Sequence, residues 1–278
     1  MAVTIDMIKE LRAATGVGIA DCRKALEETN GDFDAAVKIL RERGAAVAAK
    51  RAGKEAKEGI IAAKVVDGGK KAALVEVNCE TDFVARNEDF QRAVAELAEE
   101  ALGFETDAMA EAMTDRINEL IASIGEKIQI RRNTKWEVEG VGVVVDYIHM
   151  GGKVGVLVEL ACEKPETLEN PVFKELAKDL TLHVAATAPQ HLRREDVPEA
   201  TIEEEKSIFR KQLEGKPENI MENILKGKIN KFFSQICFLE QGFVKEDKIA
   251  VQALIDEKSK ELGDRIVVKR YARYQLGA

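Results

Sequence analysis

The chain has 278 residues, 45% hydrophobic and 33% charged, the composition of a soluble globular protein long enough for more than one packing unit. Its net charge of −8 argues against direct nucleic-acid binding, which needs clustered Lys and Arg. No apolar run approaches the ~20 residues of a membrane span and the N-terminus lacks a signal-peptide core, so a cytoplasmic protein without membrane contact is expected.

Residues 4–43 read as three short helices. Ile5, Ile8 and Leu11 mark the first, and Ile19, Cys22 and Leu26 the second, after a Thr15-Gly16-Val17-Gly18 turn. Asp32 is placed to cap a third, with Phe33, Ala36, Val37 and Leu40 on one face. The Ala/Lys stretch from Ala45 to Lys57 has few large apolar residues and reads as a linker, with a partly helical one left open.

An internal repeat follows, at a constant offset of 83 residues, as from Cys79 to Cys162. Gly68-Gly69-Lys70 falls on Gly151-Gly152-Lys153, Leu74-Val75-Glu76 on Leu157-Val158-Glu159, and Asn87 on Asn170. Eight of the 13 positions from Gly68 to Glu80 are identical in the two copies, too many for chance. Each copy predicts strand, glycine turn, strand, loop and helix. The strands are Gly59 to Val66 and Lys71 to Cys79, then Val141 to Ile148 and Val154 to Cys162. Asn170-Pro171 signals a helix start, so Asn87 is expected to be an N-cap as well. Strand parity sends Cys79 and Cys162 into a core.

Between the copies, Met109, Met113, Ile117, Leu120, Ile121 and Ile124 predict one long amphipathic helix ended by Gly125, with a strand over Lys127 to Arg132. Beyond Pro189, Ile202 to Leu213 and Ile220 to Phe233 predict a helical hairpin joined by Gly215-Lys216-Pro217. Arg265 to Gln275 returns to a strand pattern.

No phosphate-cradling glycine motif, nucleophile elbow or metal-ligand spacing occurs, and the three histidines lie far apart in sequence. No enzymatic activity, cofactor or metal is expected. Asp82-Phe83 stands out because the second copy has Pro165-Glu166 there, so the repeated unit does not need the pair in order to fold. An aromatic beside an acid on a loop suits insertion into a partner's apolar pocket.

Two strings carry a resemblance. One is Leu11-Arg12, Thr15-Gly16, Gly18 and Asp21-Cys22-Arg23-Lys24-Ala25-Leu26. The other is Glu76-Val77-Asn78-Cys79-Glu80-Thr81-Asp82-Phe83-Val84-Ala85-Arg86-Asn87. They resemble the two signatures of the bacterial elongation factor Ts family. The duplicated core, His183-Val184-Ala185-Ala186 and Gly215-Lys216-Pro217 also fit, so the resemblance covers essentially the whole chain.

The resemblance implies an α+β protein. Residues 1–44 would form a three-helix ubiquitin-associated-like domain and 45–57 a linker. Residues 58–138 would form one core subdomain, 139–188 with 234–278 the other, and 189–233 an inserted, protruding helical hairpin. It implies a guanine-nucleotide exchange factor for elongation factor Tu, with Asp82 and Phe83 wedged beside the partner's magnesium site. Mg²⁺ tolerates little departure from octahedral geometry, so a wedge there weakens GDP. Further contacts implied are Arg12, Ile19, Ala20 and Arg23 on the N-terminal face, Ile124, Gly125 and His149 on the core, and Val244 near the hairpin. Ile19 and Ala20 stand where some members carry larger side chains. Some members also continue with a C-terminal helical module, whose contribution is expected to be missing from a chain ending at Gly277-Ala278. Homodimerisation through the hairpin is left open. The alternative reading is a non-catalytic protein-binding scaffold that uses the N-terminal domain and the hairpin.

Overall fold

The structure is a computed structural model describing residues 3–213 and 217–278. It begins with helices α1 (Ile5–Thr15), α2 (Ile19–Glu28) and α3 (Phe33–Arg51). Thr4 caps α1 through its hydroxyl, which accepts from the Met7 N–H, and Asp32 caps α3 by accepting from the Ala35 N–H. Leu11, Cys22, Ala25, Leu26, Ala36 and Leu40 form their common core.

The stretch expected to be a partly helical linker is helical in its first half. Residues 45–51 continue α3, because alanine and lysine are strong helix formers with no breaker among them. Val47 and Ala48 pack against the core of the next unit.

That unit contains β1 (Glu58–Val66), β2 (Lys71–Cys79), α4 (Asp82–Ala85), α5 (Glu88–Glu100), α6 (Met109–Ala112), α7 (Thr114–Ile124) and β3 (Ile128–Glu137). The strands form an antiparallel sheet in the order β1-β2-β3. Met109 to Ile124 is thus two helices rather than one. The Asn133 side chain accepts from the Met109 N–H (3.1 Å), and the Thr114 hydroxyl donates to the Glu111 carbonyl (2.7 Å), which breaks the run at Met113. α3 lies against α7, with Gly44 over Ala122 so close that a Cβ on Gly44 would sit 3.1 Å from the Ala122 Cβ.

The second unit has β4 (Gly142–His149), β5 (Val154–Ala161), α8 (Pro171–Thr187), α9 (Glu199–Gln212), α10 (Glu218–Ile236), a short pair β6 (Gly242–Phe243) and β7 (Glu246–Ala250), α11 (Val251–Leu262) and β8 (Val267–Gln275). Its sheet has the order β4-β5-β8. α9 and α10 pack side by side through Phe209, Leu225, Ile229 and Phe233. Of their expected joint, Gly215 and Lys216 lie outside the described residues. No helix among the described residues is long and apolar enough to cross a membrane.

The two sheets face each other, with helices on the outer sides. Alternate residues of β2 divide accordingly. Ala73, Val75, Val77 and Cys79 face α5 and α7, whereas Ala72 and Leu74 join Ile61, Trp136, Val144, Leu157 and Tyr274 between the sheets.

The repeat extends beyond the two hairpins and the helices that follow them. From α7 onward the offset changes to 138, as from Arg132 to Arg270, so α11 answers α7 and β8 answers β3. Arg132 donates to buried Glu76 (2.8 Å) and lies over the Tyr274 ring, 4.1 Å from its centroid. Arg270 donates to Glu159 (2.6 Å) and lies over Trp136 at 4.5 Å. Each arginine thus pairs with a carboxylate of its own sheet and an aromatic of the other.

The glycine turns dock reciprocally. The tip of the second hairpin sits on β1, where the Ile61 N–H donates to the Gly152 carbonyl at 2.8 Å. Gly69, its counterpart, sits on Val143 and Val144 of β4.

Cys162 departs from expectation. Cys79 is fully buried and paired with Glu58 and Ile128, whereas the second sheet stops one residue earlier, at Ala161, and leaves Cys162 half-buried. Both thiols still donate to the carbonyl two residues on, Thr81 and Lys164.

Candidate functional site

Asp82 and Phe83 open the four-residue helix α4, directly after β2. A helix this short cannot hold itself together. Three contacts fix it. The Thr81 hydroxyl accepts from the Val84 N–H (3.3 Å) as an N-cap. Val84 and Ala85 pack on the first core. Glu126 accepts both the Thr81 N–H (3.0 Å) and its hydroxyl (2.7 Å). A reciprocal bond crosses the same gap, from the Lys127 N–H to Glu80 at 2.6 Å. That N–H, supported by the Arg51 guanidinium at 2.8 Å, holds the Glu80 carboxyl below the usual range. Burial, then the Glu126 charge, pushes the Cys79 thiol up to about 12, so it remains protonated.

On this platform Phe83 is 80% exposed, the most exposed large apolar side chain among the described residues. An exposed phenylalanine forfeits most of its burial free energy, about 2 kcal/mol, so folding does not account for it. Asp82 is half-buried and pairs with Arg86 at 3.0 Å. Asn87 caps α5 by accepting from the Asp89 and Phe90 N–H groups.

Gly125 adopts the left-handed conformation (φ 85°) that ends α7. The corner it forms carries Ile124 on one side and the clamping Glu126 on the other. Ile124 also lines a cleft of about 550 Å³ with Arg12, Thr15, Gly16, Val84 and Asn87. The structure therefore brings Arg12 and Ile124 together at a cleft that Val84, the residue after Phe83, also lines. Ile19, Ala20 and Arg23 occupy an exposed face of α2, with Arg23 bonded to Glu27 at 2.8 Å.

His149 and Val244 belong to the second unit. His149 is exposed at the end of β4, its Nδ1 2.8 Å from the Tyr147 hydroxyl. Val244 is exposed in the turn between β6 and β7. Its N–H donates to Nδ1 of fully buried His183 (3.1 Å), whose Nε2 therefore carries the proton toward Gln241 Oε1 (3.0 Å). Burial pushes the His183 pKa below its usual 6.5. The unfolded chain then binds the proton more readily, so stability is full above pH 6.5 and falls as pH drops below it. Protonating Nδ1 would also remove the acceptor that holds the Val244 turn. Thermal unfolding between pH 8 and 5.5 is expected to show this loss, and His183→Gln to flatten it.

The second unit retains the clamp without the aromatic. Gly263 ends α11 in the left-handed conformation, and Asp264 accepts from the Glu163 and Lys164 N–H groups and the Thr167 hydroxyl. Burial opposes the Asp264 charge, but these donors outweigh it and lower its pKa. Neither Glu126 nor Asp264 is among the residues expected from the sequence. The available signal was the acid that follows a helix-ending glycine at the same place in both copies.

Residues 80–278 match the family described as Elongation factor TS. The chain is 46% identical to "Elongation factor Ts" of Trichlorobacter lovleyi over 292 aligned positions, covering all of this chain and 93% of the relative. It is 47% identical to the protein of the same name from Symbiobacterium thermophilum, covering 99% and 92%, and 42% identical to that of Nitratidesulfovibrio vulgaris, covering 100% and 96%. These matches define the class, the translation elongation factors. Within it, the chain belongs to the elongation factor Ts family.

Proposed function

We propose that this protein is the guanine-nucleotide exchange factor for elongation factor Tu and releases GDP by inserting Phe83, oriented by Asp82, beside the partner's Mg²⁺. The observation that carries this reading is Phe83 itself. It is 80% exposed on a braced turn that the second unit builds without an aromatic. Burying it in a partner recovers the free energy that folding leaves unused. Displacing the elements that support Mg²⁺ weakens GDP, and linkage requires GDP to weaken factor binding equally.

The three-helix unit ending in α3 is read as ubiquitin-associated-like, with Arg12, Ile19, Ala20 and Arg23 meeting the partner's GTP-binding domain. Ile124, Gly125 and His149 add core contacts and Val244 a contact near the α9–α10 hairpin. The chain performs no bond chemistry, works in the cytoplasm and touches no nucleic acid directly. Stopped-flow release of labelled GDP from purified elongation factor Tu tests the reading. Catalytic amounts of this chain are expected to accelerate release by orders of magnitude. Binding without acceleration would instead identify a scaffold.

A further inference from the structure

We propose that Glu126 is a positioning residue that holds Phe83 ready for insertion through its paired bonds to Thr81. The inference rests on the exchange reading above. Glu126 accepts from both hydrogen-bond donors of one residue, the backbone N–H on Oε2 and the hydroxyl on Oε1. The first fixes the path of the chain as it leaves β2. The second fixes the rotamer of Thr81, so that its oxygen lone pair meets the Val84 N–H. The cap on α4 therefore depends on Glu126 even though the two do not touch.

Geometry makes the dependence strong. α4 has four residues, and although Val84 and Ala85 pack on the first core, none of Asp82 to Ala85 is fully buried. The pull on Thr81 comes from the corner at Gly125, whose left-handed turn aims the next residue back toward β2. Glu80 and Lys127 tie the same two segments from the other side. The second unit has an acid in the corresponding corner, Asp264, whose bonds reach the corresponding Lys164 N–H. A brace between helix corner and strand exit is therefore general to the repeat. Only in the first unit does it hold an exposed aromatic.

Without the brace, Phe83 would sample many orientations, and binding would draw on the competent fraction alone. Glu126→Ala is expected to slow GDP release about tenfold, corresponding to a competent fraction of roughly one tenth. Thr81→Ala should lower it similarly. Glu126→Gln, which keeps one acceptor oxygen, should recover part of the loss. In the Phe83→Ala background, Glu126→Ala should cost little more, because Glu126 acts through Phe83.

Amide hydrogen exchange at Val84, Ala85 and Arg86 in the free protein reads the bracing without any partner. These amides are expected to exchange faster in Glu126→Ala and Thr81→Ala, with protection elsewhere in β2 and α5 retained. Unchanged protection in both variants overturns the proposal. So does a full additional tenfold loss in the Phe83→Ala background, which would make Glu126 a direct contact. If Phe83→Ala alone keeps full exchange activity, the exchange reading fails, and the amide measurement still decides whether Glu126 braces the turn.

Discussion

Phe83→Ala is expected to slow GDP release from elongation factor Tu about thirtyfold while leaving the melting temperature of the free protein nearly unchanged. The two halves of this result have separate causes. A buried aromatic anchor at an interface contributes about 2 kcal/mol or more, or roughly thirtyfold in a rate that depends on it. In the free protein the ring is 80% exposed, so its removal costs the fold little, within about 0.5 kcal/mol for a surface position. If the wedge acts through the metal, the factor's affinity for GDP-bound elongation factor Tu should rise when Mg²⁺ is chelated. That dependence should shrink in the Asp82→Ala, Phe83→Ala double variant. Calorimetric titration at several Mg²⁺ concentrations measures both. A sharp fall in melting temperature in Phe83→Ala would make the ring part of the core and end the proposal.

A large effect on stability is expected at the reciprocal turns. Gly152 has φ 95°, and a Cβ there would lie 2.6 Å from the Ile60 Cγ2 and 3.2 Å from the Ile61 carbonyl oxygen. Gly69 has φ 88°, and its Cβ would lie 2.1 Å from the Val143 Cγ2. Their neighbours Gly151 (φ 64°) and Gly68 (φ 63°) have nothing within 4 Å of such an atom. Alanine at Gly68 or Gly151 should therefore cost only backbone strain, about 1 kcal/mol. At Gly69 or Gly152 it should cost about 3 kcal/mol or more, since the clash separates the sheets as well. Urea unfolding of the four single variants tests the contrast. Equal losses at adjacent glycines would mean that the tips do not bear on the opposite strand.

Much of this arrangement could be read in the chain. The double glycines and alternating valines announce both hairpins, and Asn87 announces a helix start. The contrast of Asp82-Phe83 with Pro165-Glu166 marks the pair as one that the repeated unit does not need in order to fold. Other parts were hidden for physical reasons. α4 has four residues, too few to show a helical period. Its brace joins Thr81 to Glu126 across 45 positions, and no local pattern encodes such a contact. Nor could the grouping of Arg12 with Ile124 be seen, because it depends on α3 packing along α7. α11 was legible in Val251, Leu254, Ile255 and Leu262, with Gly263 as its stop. Its relation to α7 is hidden because the repeat resumes there at a different offset.

That change of offset has a consequence for chain entropy. In the first unit the chain leaves β2 at Cys79 and re-enters the sheet at Ile128; in the second it leaves β5 at Ala161 and re-enters at Val267. The second excursion is about twice as long because it contains α9 and α10. Closure entropy grows only with the logarithm of length, so this doubling costs about 0.6 kcal/mol. The second loop is thus a place where the fold accepts a long insertion at small thermodynamic cost, provided that the insert packs upon itself as α9 and α10 do. Folding speed is more sensitive than stability to such separation. β3 should therefore join its sheet before β8 joins the other, and the first unit, with its braced turn, should be the earlier of the two to form.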